Sequence, residues 1–393
     1  MATAELERRV IVAQPENSET PLRELRSWVT PNRLFFVRNH FETPEIDRAA
    51  WRLRVTGLVE RELELDWETI ATLPTRSVFA TMECAGNGRS FLEKPVHGVQ
   101  WGAGAIGHAE WVGVPLRLVL ERAGVQAQAR EAIFVGADRG TEPDHPEVMA
   151  FERSLPVEKA LEDDTLLAIE MNGEPLTAAH GYPVRLIVPG WYGVASVKWL
   201  ESIHLTDEMF HGYYQSVKYT VRRRTGSGVC SEVVGEMQPK SEILRPHEGE
   251  RCGVGLNRVV GVAWAGPDPV EAVEISTDGG RSWARAELTG ITAPYSWTLW
   301  QYSWRPAQPG PCQLMSRAIS AAGRMQPLRH DPLYGGYLIH HSRPIPVEVA
   351  PTWSADGGDY TDSAAKAAFE EAAEERSRMQ LDVEMRVGGG LGI

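Results

Sequence analysis

The chain has 393 residues, which is long enough for two or three domains, and its 42% hydrophobic and 24% charged residues are ordinary for a globular protein. The formal net charge of −13 argues against general binding to nucleic acid or to an anionic membrane surface. An acidic chain that binds an anion must gather its cations locally, so clustered basic residues carry information.

The first part of the chain mixes strand and helix signals without regular alternation. In chain order the pattern predicts a strand at 51–57, a helix that Asp66 caps and that runs to Leu73, a strand at 77–82, and a helix at 114–120 ended by Gly124. Further strands are predicted at 133–135, 165–169, 183–188 and 196–205, the last two joined as a hairpin. This irregular order predicts a mixed α+β domain over residues 1–228.

The second part reads as all-β after a predicted linker at 221–235. Short strand signals at 258–264, 270–276, 283–288, 296–302 and 313–320 predict an immunoglobulin-like β-sandwich over residues 229–350. A hairpin turn is expected at 278–280, and inward positions are expected for Trp264, Trp283, Trp297, Trp300 and Trp304. Residues 351–393 form a polar tail with a possible helix at 363–380, for which we expect exposure to solvent.

The cysteines and the N-terminus bear on cofactor class and location. The four cysteines form no CxxC pair, which argues against a zinc ribbon, a common iron–sulfur cluster and an attached haem. No apolar run approaches the roughly 18 residues of a membrane span. Residues 1–17 lack the apolar core of a signal peptide, so we expect a cytoplasmic protein, or a periplasmic one if a leader has been removed.

Cys84 is the most informative residue, because a thiolate beside a cation is a good ligand for a soft or redox-active metal. It follows a predicted strand and precedes Arg89 by five positions. A lone cysteine at such a place is more often a packing residue. Other segments, however, offer groups suited to an anion or a heterocycle: residues 36–40 with Arg38 and His40, Asp138, His180 with Arg185, and Ser196 with Lys198.

The joint pattern of these segments is more specific than any one of them. The segments are 35–40 (FFVRNH), 83–89 (ECAGNGR), 98–101 (GVQW), 104–106 (GAI), 170–176 (EMNGEPL), 180–185 (HGYPVR), 188–190 (VPG), 197–200 (VKWL) and 276–280 (STDGG). In order and spacing they resemble the sulfite oxidase family of molybdopterin-dependent oxidoreductases, over residues 30–350. The resemblance implies a molybdopterin-binding domain followed by a dimerisation domain.

The resemblance also implies roles for individual residues. Cys84 would be the protein thiolate on a single molybdenum ion per chain, with Arg38 and Arg89 in the substrate-anion pocket and Tyr219 beside the metal. Residues that would hold the pterin and its phosphate are Phe36, Val37, Arg38, Asn39, His40, Asp138, His180, Arg185, Ser196, Val197 and Lys198. No haem is expected, so electrons would pass to a separate acceptor such as a c-type cytochrome, or directly to oxygen or a quinone.

Three places depart from the family pattern. Gly88 stands where many members carry an arginine, and residues 332–337 (PLYGGY) lack an expected anion-binding arginine. Three arginines at 222–224 follow Tyr219, and they either complete the pocket or face solvent. The resemblance still implies a molybdopterin cofactor despite these departures. The identity of the substrate stays open.

Three functions therefore stay open at this point. The first is oxidation of sulfite, or a related sulfur oxyanion, to sulfate in a homodimer built through the β domain. The second keeps the cofactor and runs oxygen transfer in reverse, reducing a sulfoxide or an N-oxide. The third is a non-catalytic cofactor carrier or interaction module based on the sandwich. A membrane or nucleic-acid partner is expected in none of them.

Overall fold

The computed structural model describes residues 6–25 and 27–351, so the predicted tail helix at 363–380 lies outside the described residues. Within the described ranges, no helix combines the length and apolar character that crossing a membrane requires. The helices are α1 (Trp67–Thr72), α2 (Leu116–Ala123) and α3 (Val157–Ala160).

The strands, in chain order, fill most of the fold. Those of the first half are β1 (Arg9–Val12), β2 (Asn17–Glu19), β3 (Val37–Arg38), β4 (Arg52–Gly57), β5 (Leu63–Asp66), β6 (Arg76–Glu83), β7 (Ile106–Pro115), β8 (Glu131–Glu142), β9 (His145–Pro156), β10 (Leu166–Met171), β11 (Glu174–Pro175), β12 (Arg185–Ile187) and β13 (Leu200–Thr206). Those of the second half are β14 (Thr220–Thr225), β15 (Gly228–Val233), β16 (Lys240–Arg245), β17 (Arg251–Gly253), β18 (Asn257–Trp264), β19 (Val270–Ser276), β20 (Ala284–Arg285), β21 (Glu287–Leu288), β22 (Thr298–Trp304), β23 (Gly310–Ser320) and β24 (Ile345–Ala350).

The capping residues act as the sequence predicts. Asp66 accepts a hydrogen bond from the backbone N–H of Thr69 at 2.9 Å, which satisfies a donor at the start of α1. Gly124 ends α2 with φ of 73°, a left-handed conformation that favours glycine. Both predicted helices are confirmed.

The first domain contains two five-stranded sheets and one three-stranded sheet. One five-stranded sheet has the order β11-β10-β7-β6, with β12 also pairing with β10, and the other has the order β5-β4-β13-β8-β9. β1, β2 and β3 form the small sheet. β13 runs parallel to β4 and antiparallel to β8, so the sheet that contains them is mixed, while the pairs of the other two sheets are antiparallel. The predicted α+β class is confirmed.

The predicted hairpin between residues 183–188 and 196–205 is wrong. β12 and β13 belong to different sheets, and residues 196–198 precede β13 rather than lying within it. Backbone hydrogen bonds from Leu186 to Val197 and from Leu200 to Val184 still join the two segments. The cause is the non-local pairing of β13 with β4, which a local turn signal cannot reveal.

The predicted linker at 221–235 is also largely structured. β14 and β15 pair as an antiparallel hairpin from Thr220↔Val233 to Thr225↔Gly228. Every residue of β15 is exposed, whereas Val221 of β14 is buried in the main core. The arginines and glycines that suggested a linker are therefore the polar surface of a two-stranded ribbon.

The second domain is the predicted β-sandwich. Its sheets have the orders β16-β18-β22-β21 and β17-β24-β23-β19-β20, and their inner faces share an apolar core that includes Val259, Trp300 and Leu314. Of the five tryptophans expected inside, Trp283 is only half-buried, because it lies against the guanidinium of Arg317 near the turn. The other four are buried.

The two domains pack closely against each other. Trp264 and Trp297 of the second domain belong to the main core of the first. Trp28 and Trp297 exchange indole-to-carbonyl hydrogen bonds at 3.1 and 2.8 Å. The sandwich therefore supports the first domain directly.

Candidate functional site

One cavity gathers most of the predicted site residues. Its lining comes from the segment at 35–40, the end of β6, the bulge in β8 and the turns on either side of β12. The predicted residues that line it are Phe36, Val37, Arg38, Asn39, His40, Cys84, Asp138, His180, Arg185, Ser196, Lys198 and Tyr219. Two predicted residues do not line it, namely Arg89 and Val197.

Cys84 lies one residue beyond β6 and is 6% exposed. Its backbone N–H donates to the carbonyl of Ala105 at 2.9 Å, and its carbonyl accepts from the N–H of Asn87 at 2.8 Å. The side chain of Asn87 continues this ring of bonds, because its Oδ1 accepts from the N–H of Ala105 at 3.0 Å. The thiol is thus held at the cavity wall by a tightly bonded loop.

Tyr219 and His40 form a hydrogen-bonded pair in the same cavity. The Tyr219 hydroxyl lies 2.8 Å from His40 Nε2, and the imidazole stacks on Phe151 at 4.6 Å. Burial raises the pKa of Tyr219, and burial together with the charge of Arg38 lowers the pKa of His40 well below its ordinary value. At neutral pH the phenol is therefore protonated and the imidazole neutral, so Tyr219 carries a proton that it can donate in a hydrogen bond.

The two predicted pocket arginines have different surroundings. Arg38 is half-buried, and one guanidinium nitrogen donates to Asn17 Oδ1 at 3.1 Å and also to the carbonyl of Asn39. Arg89 is bound by backbone carbonyls, since it donates to Gly336 at 2.8 Å and to Val99 at 2.8 Å. Its guanidinium also lies 5.6 Å from the ring centre of Tyr337. Arg89 therefore holds the loop of Cys84 against the second domain rather than facing the cavity.

Asp138 lies in a different context from the predicted one. The sequence predicts a loop after a strand at 133–135, but Asp138 is inside β8, at a bulge where the pairing with β9 shifts between Val135 and Arg139. The bulge turns the carboxylate into the cavity. Gly136 makes room for it, because a Cβ there would lie 2.6 Å from Asp138 Oδ1.

The polar end of the cavity has unpaired groups aimed at a ligand. Asp138 is 4% exposed, yet its Oδ1 has no hydrogen-bond partner in the protein, and the Nε of buried Arg185 also lacks one. Burial raises the pKa of Asp138 to about 6 and lowers the pKa of Arg185 to about 9. Because buried polar groups are normally paired, these two atoms indicate a ligand with both donors and an anionic acceptor.

The remaining groups at this end are fixed by the backbone. Arg185 donates to the carbonyls of His180 at 3.0 Å and Ser196 at 3.1 Å. Lys198 donates to the carbonyl of Ala179 at 3.0 Å and to the side chain of Asn39. Burial lowers the pKa of His180 to about 3, so its imidazole is neutral at pH 7.

The arrangement fits a pterin with a phosphate arm. An acceptor carboxylate suits the N–H groups of a heterocycle, while guanidinium, ammonium and backbone groups suit a phosphate. Among the described residues, no group of three or more His, Cys, Asp or Glu side chains is placed to hold a metal ion. A single thiolate at Cys84 suits a cofactor that brings the other metal ligands itself.

Several lining residues were not predicted from the sequence. They are Phe35, Met82, Ala85, Phe151, Ala179, Gly193, Val194 and Trp199. Phe35, Ala85 and Trp199 lie inside the motif segments at 35–40, 83–89 and 197–200, but no site role was predicted for them. Phe151 lies on β9, where no motif marks it.

The three arginines after Tyr219 lie on β14 of the β14–β15 hairpin. Arg223 pairs with Glu232 at 2.5 Å across the ribbon, and Arg224 pairs with Asp331 at 3.2 Å. Arg222 is exposed. None of the three lines the cavity, so the interpretation in which they face solvent is the one the structure supports.

The buried carboxylate predicts a pH-dependent gain in stability for Asp138→Asn in the cofactor-free protein. The folded pKa of about 6 lies above the ordinary value of 3.8, so the contribution of Asp138 to stability is favourable at low pH and is lost as the pH rises through 6. We expect the melting temperature of Asp138→Asn to exceed that of the original protein at pH 8 and to equal it near pH 4. The same difference in melting temperature at both pH values would contradict the prediction that burying the ionised Asp138 carboxylate destabilises the fold. The control is Asp144→Asn, which changes an exposed carboxylate.

Comparison with known proteins supports the same class of site. Residues 40–214 match the oxidoreductase molybdopterin binding domain family, and residues 231–333 match the Mo-co oxidoreductase dimerisation domain family. The mitochondrial sulfite oxidase of Rattus norvegicus is 33% identical over 364 residues, which cover 87% of this chain and 66% of that protein. The chain thus spans about two thirds of the length of this relative.

Two further relatives cover more of their own length. The sulfite oxidase of Gallus gallus is 35% identical over 353 residues, covering 83% of this chain and 74% of that protein. The crystal structure of the sulfane dehydrogenase SoxCD from Paracoccus pantotrophus matches with a TM-score of 0.74 and 29% identity, covering 86% of this chain and 87% of that chain. From these matches and the cavity around Cys84, we conclude that the chain belongs to the sulfite oxidase family of molybdopterin-dependent oxidoreductases.

Proposed function

We propose that the protein oxidises sulfite, or a related sulfur oxyanion, to sulfate. For sulfite the net change adds the oxygen of one water and releases two protons and two electrons, which pass to a separate acceptor such as a c-type cytochrome. The observation that carries the proposal is one cavity that joins Cys84, Arg38 and Tyr219 to an anion-binding end. The names of the relatives, sulfite oxidase and sulfane dehydrogenase, support a sulfur substrate.

The cofactor would lie along this cavity with one molybdenum per chain. Cys84 would ligate the metal, and Asp138 would accept hydrogen bonds from the pterin. Arg185, Lys198, His180 and Ser196 would surround the phosphate. When bound, the molybdenum supplies the oxygen-transfer and two-electron redox chemistry.

The chain's own groups would bind and orient the substrate. Arg38 offers a fixed positive charge near Cys84 in an otherwise acidic protein, and such a charge attracts a small oxyanion to the cavity. Tyr219 keeps its proton and would donate it in a hydrogen bond to a substrate or product oxygen. His40 would fix the direction of that hydroxyl through the 2.8 Å hydrogen bond.

We also propose a homodimer, because residues 231–333 match a dimerisation domain. The dimer would use the sandwich. The proposed partners are therefore a second copy of this chain, a small sulfur anion and an electron acceptor.

The direct test is sulfite-dependent reduction of an artificial electron-accepting dye by the molybdenum-loaded protein. We expect turnover with sulfite, production of sulfate in a 1:1 ratio to the electron pairs transferred, and no turnover by protein that lacks molybdenum. A molybdenum-loaded protein that reduces no dye with sulfite would contradict the proposal.

One observation favours a second candidate, the reduction of a sulfoxide or an N-oxide. Arg89 is bound by carbonyls and does not line the cavity, and the segment at 332–337 contains no arginine. Of the two predicted pocket arginines, Arg38 alone lines the cavity, whereas a dianion would favour more positive charge. Oxidation of a reduced dye by dimethyl sulfoxide or trimethylamine N-oxide, faster than the sulfite reaction, would establish this alternative.

A further inference from the structure

The loop that carries Cys84 is fastened to the second domain at several points. The carbonyl of Ala85 accepts from the N–H of Leu338 at 2.9 Å, and Arg89 donates to the carbonyl of Gly336 at 2.8 Å. Lys240, at the start of β16, donates to the carbonyl of Asn87 at 3.3 Å. The cavity wall that bears the thiol is therefore built partly from outside the first domain.

The strongest of these attachments is a buried ion pair next to the cysteine. Lys240 Nζ lies 3.0 Å from Glu83 Oε1, and both side chains are 2% exposed. The other carboxylate oxygen of Glu83 accepts from Trp264 Nε1 at 2.9 Å. Since Lys240 and Trp264 lie on adjacent strands, β16 and β18, one sheet of the sandwich provides both donors.

This ion pair connects to the backbone of Cys84 through a short chain of bonds. Glu83 Oε1 also accepts from Asn87 Nδ2 at 3.0 Å, and Asn87 Oδ1 accepts from the N–H of Ala105. The carbonyl of Ala105 in turn accepts from the N–H of Cys84. An unpaired buried charge is costly, so the carboxylate of Glu83 and the ammonium of Lys240 hold each other in a defined position. The bonds from Glu83 then fix the position of the loop at 83–89.

We propose that Lys240 is a positioning residue for Cys84, so that the sandwich sets the place of the thiolate in the cavity. Lys240 is not among the residues that line the cavity. It acts through Glu83 and Asn87, and its loss would allow the loop at 83–89 to open locally. The inference rests on the proposed role of Cys84 as metal ligand. What it states about the protein itself is that Lys240 keeps the loop at 83–89 closed around the thiol.

The test is alkylation of the purified full-length chain with iodoacetamide, measured separately for each cysteine by peptide mass spectrometry. Cys252, which is buried in the sandwich core, serves as the internal reference for global unfolding. In Lys240→Met we expect the ratio of the alkylation rate at Cys84 to that at Cys252 to be about tenfold higher than in the original protein. Local opening would expose the Cys84 thiol without unfolding the sandwich. Molybdenum content measured on the same samples should fall with the rise in labelling.

The matched control is Arg317→Met, which removes a half-buried ion pair with Glu274, 2.6 Å long, elsewhere in the sandwich. We expect this variant to leave the relative rate at Cys84 unchanged even where its melting temperature falls. If Lys240→Met does not fold, the double variant Glu83→Gln/Lys240→Met removes both charges and should show the same rise.

An unchanged relative rate in a folded Lys240→Met or in the double variant would overturn the inference. Labelling does not depend on sulfite chemistry. A failed sulfite assay with a raised labelling rate would therefore count against the proposed function alone, and an unchanged labelling rate in an active enzyme would count against the role of Lys240 alone.

Discussion

Cys84→Ser is expected to lower sulfite-dependent turnover by at least about 10³-fold, because loss of one essential catalytic group commonly costs that much or more. A serine hydroxyl at this position is a poor ligand for a soft metal, because it does not ionise near neutral pH. Since Cys84 is 6% exposed and serine is of similar size, the fold should persist. Dye reduction with sulfite, normalised to the molybdenum content, measures the effect.

Cys230→Ser is the matched control for this prediction. Cys230 is an exposed cysteine on the β14–β15 hairpin, away from the cavity lining. Its replacement should leave turnover within about twofold of the original value, as expected for a surface substitution. Full activity in Cys84→Ser would remove the role assigned to the thiolate.

Arg38→Met is expected to lower kcat/KM for sulfite by about 10²–10³-fold, because it removes a positive charge that hydrogen bonds hold in place at the cavity wall. The methionine keeps much of the side-chain volume but neither the charge nor the donors. Arg38 also lies near the cofactor end of the cavity, so molybdenum content must be measured for each preparation. Normalised values then separate substrate binding from cofactor loss.

Arg222→Met serves as the control for Arg38→Met, since Arg222 is exposed on the hairpin and does not line the cavity. We expect it to change kcat/KM by less than about twofold at physiological salt, where exposed charges are screened. If both arginine variants lost activity equally, the effect of Arg38 would be a general charge effect rather than a local one. If dimethyl sulfoxide reduction survived while sulfite oxidation was lost, Arg38 would be specific to the anion.

Local chemistry made some elements predictable from the sequence. The Asp66 cap and the terminal Gly124 fix the ends of α1 and α2 through bonds within a few residues, so their patterns are visible in the chain. The strand that leads to Cys84 was predictable because Val78, Phe79 and Thr81 are residue types that favour strands. The motif pattern also predicted most of the residues that line the cavity, from Arg38 to Tyr219.

Long-range pairing made other features unpredictable. The bulge that places Asp138 depends on the register between β8 and β9, and the parallel partner of β13 is β4, far away in the sequence. Arg89 was predicted to face the substrate pocket. It instead donates to the carbonyls of Val99 and Gly336, and the contact with Gly336 is too distant in sequence to be predicted. Lys240 carries no motif at all, because its significance arises only where the two domains meet.

The measurement that tests the central claim most directly is X-ray absorption at the molybdenum edge, made on the purified original protein and on Cys84→Ser. If the side chain of Cys84 binds the metal, the variant must show one fewer sulfur neighbour around molybdenum than the original protein. The same number of sulfur neighbours in both samples would contradict the account.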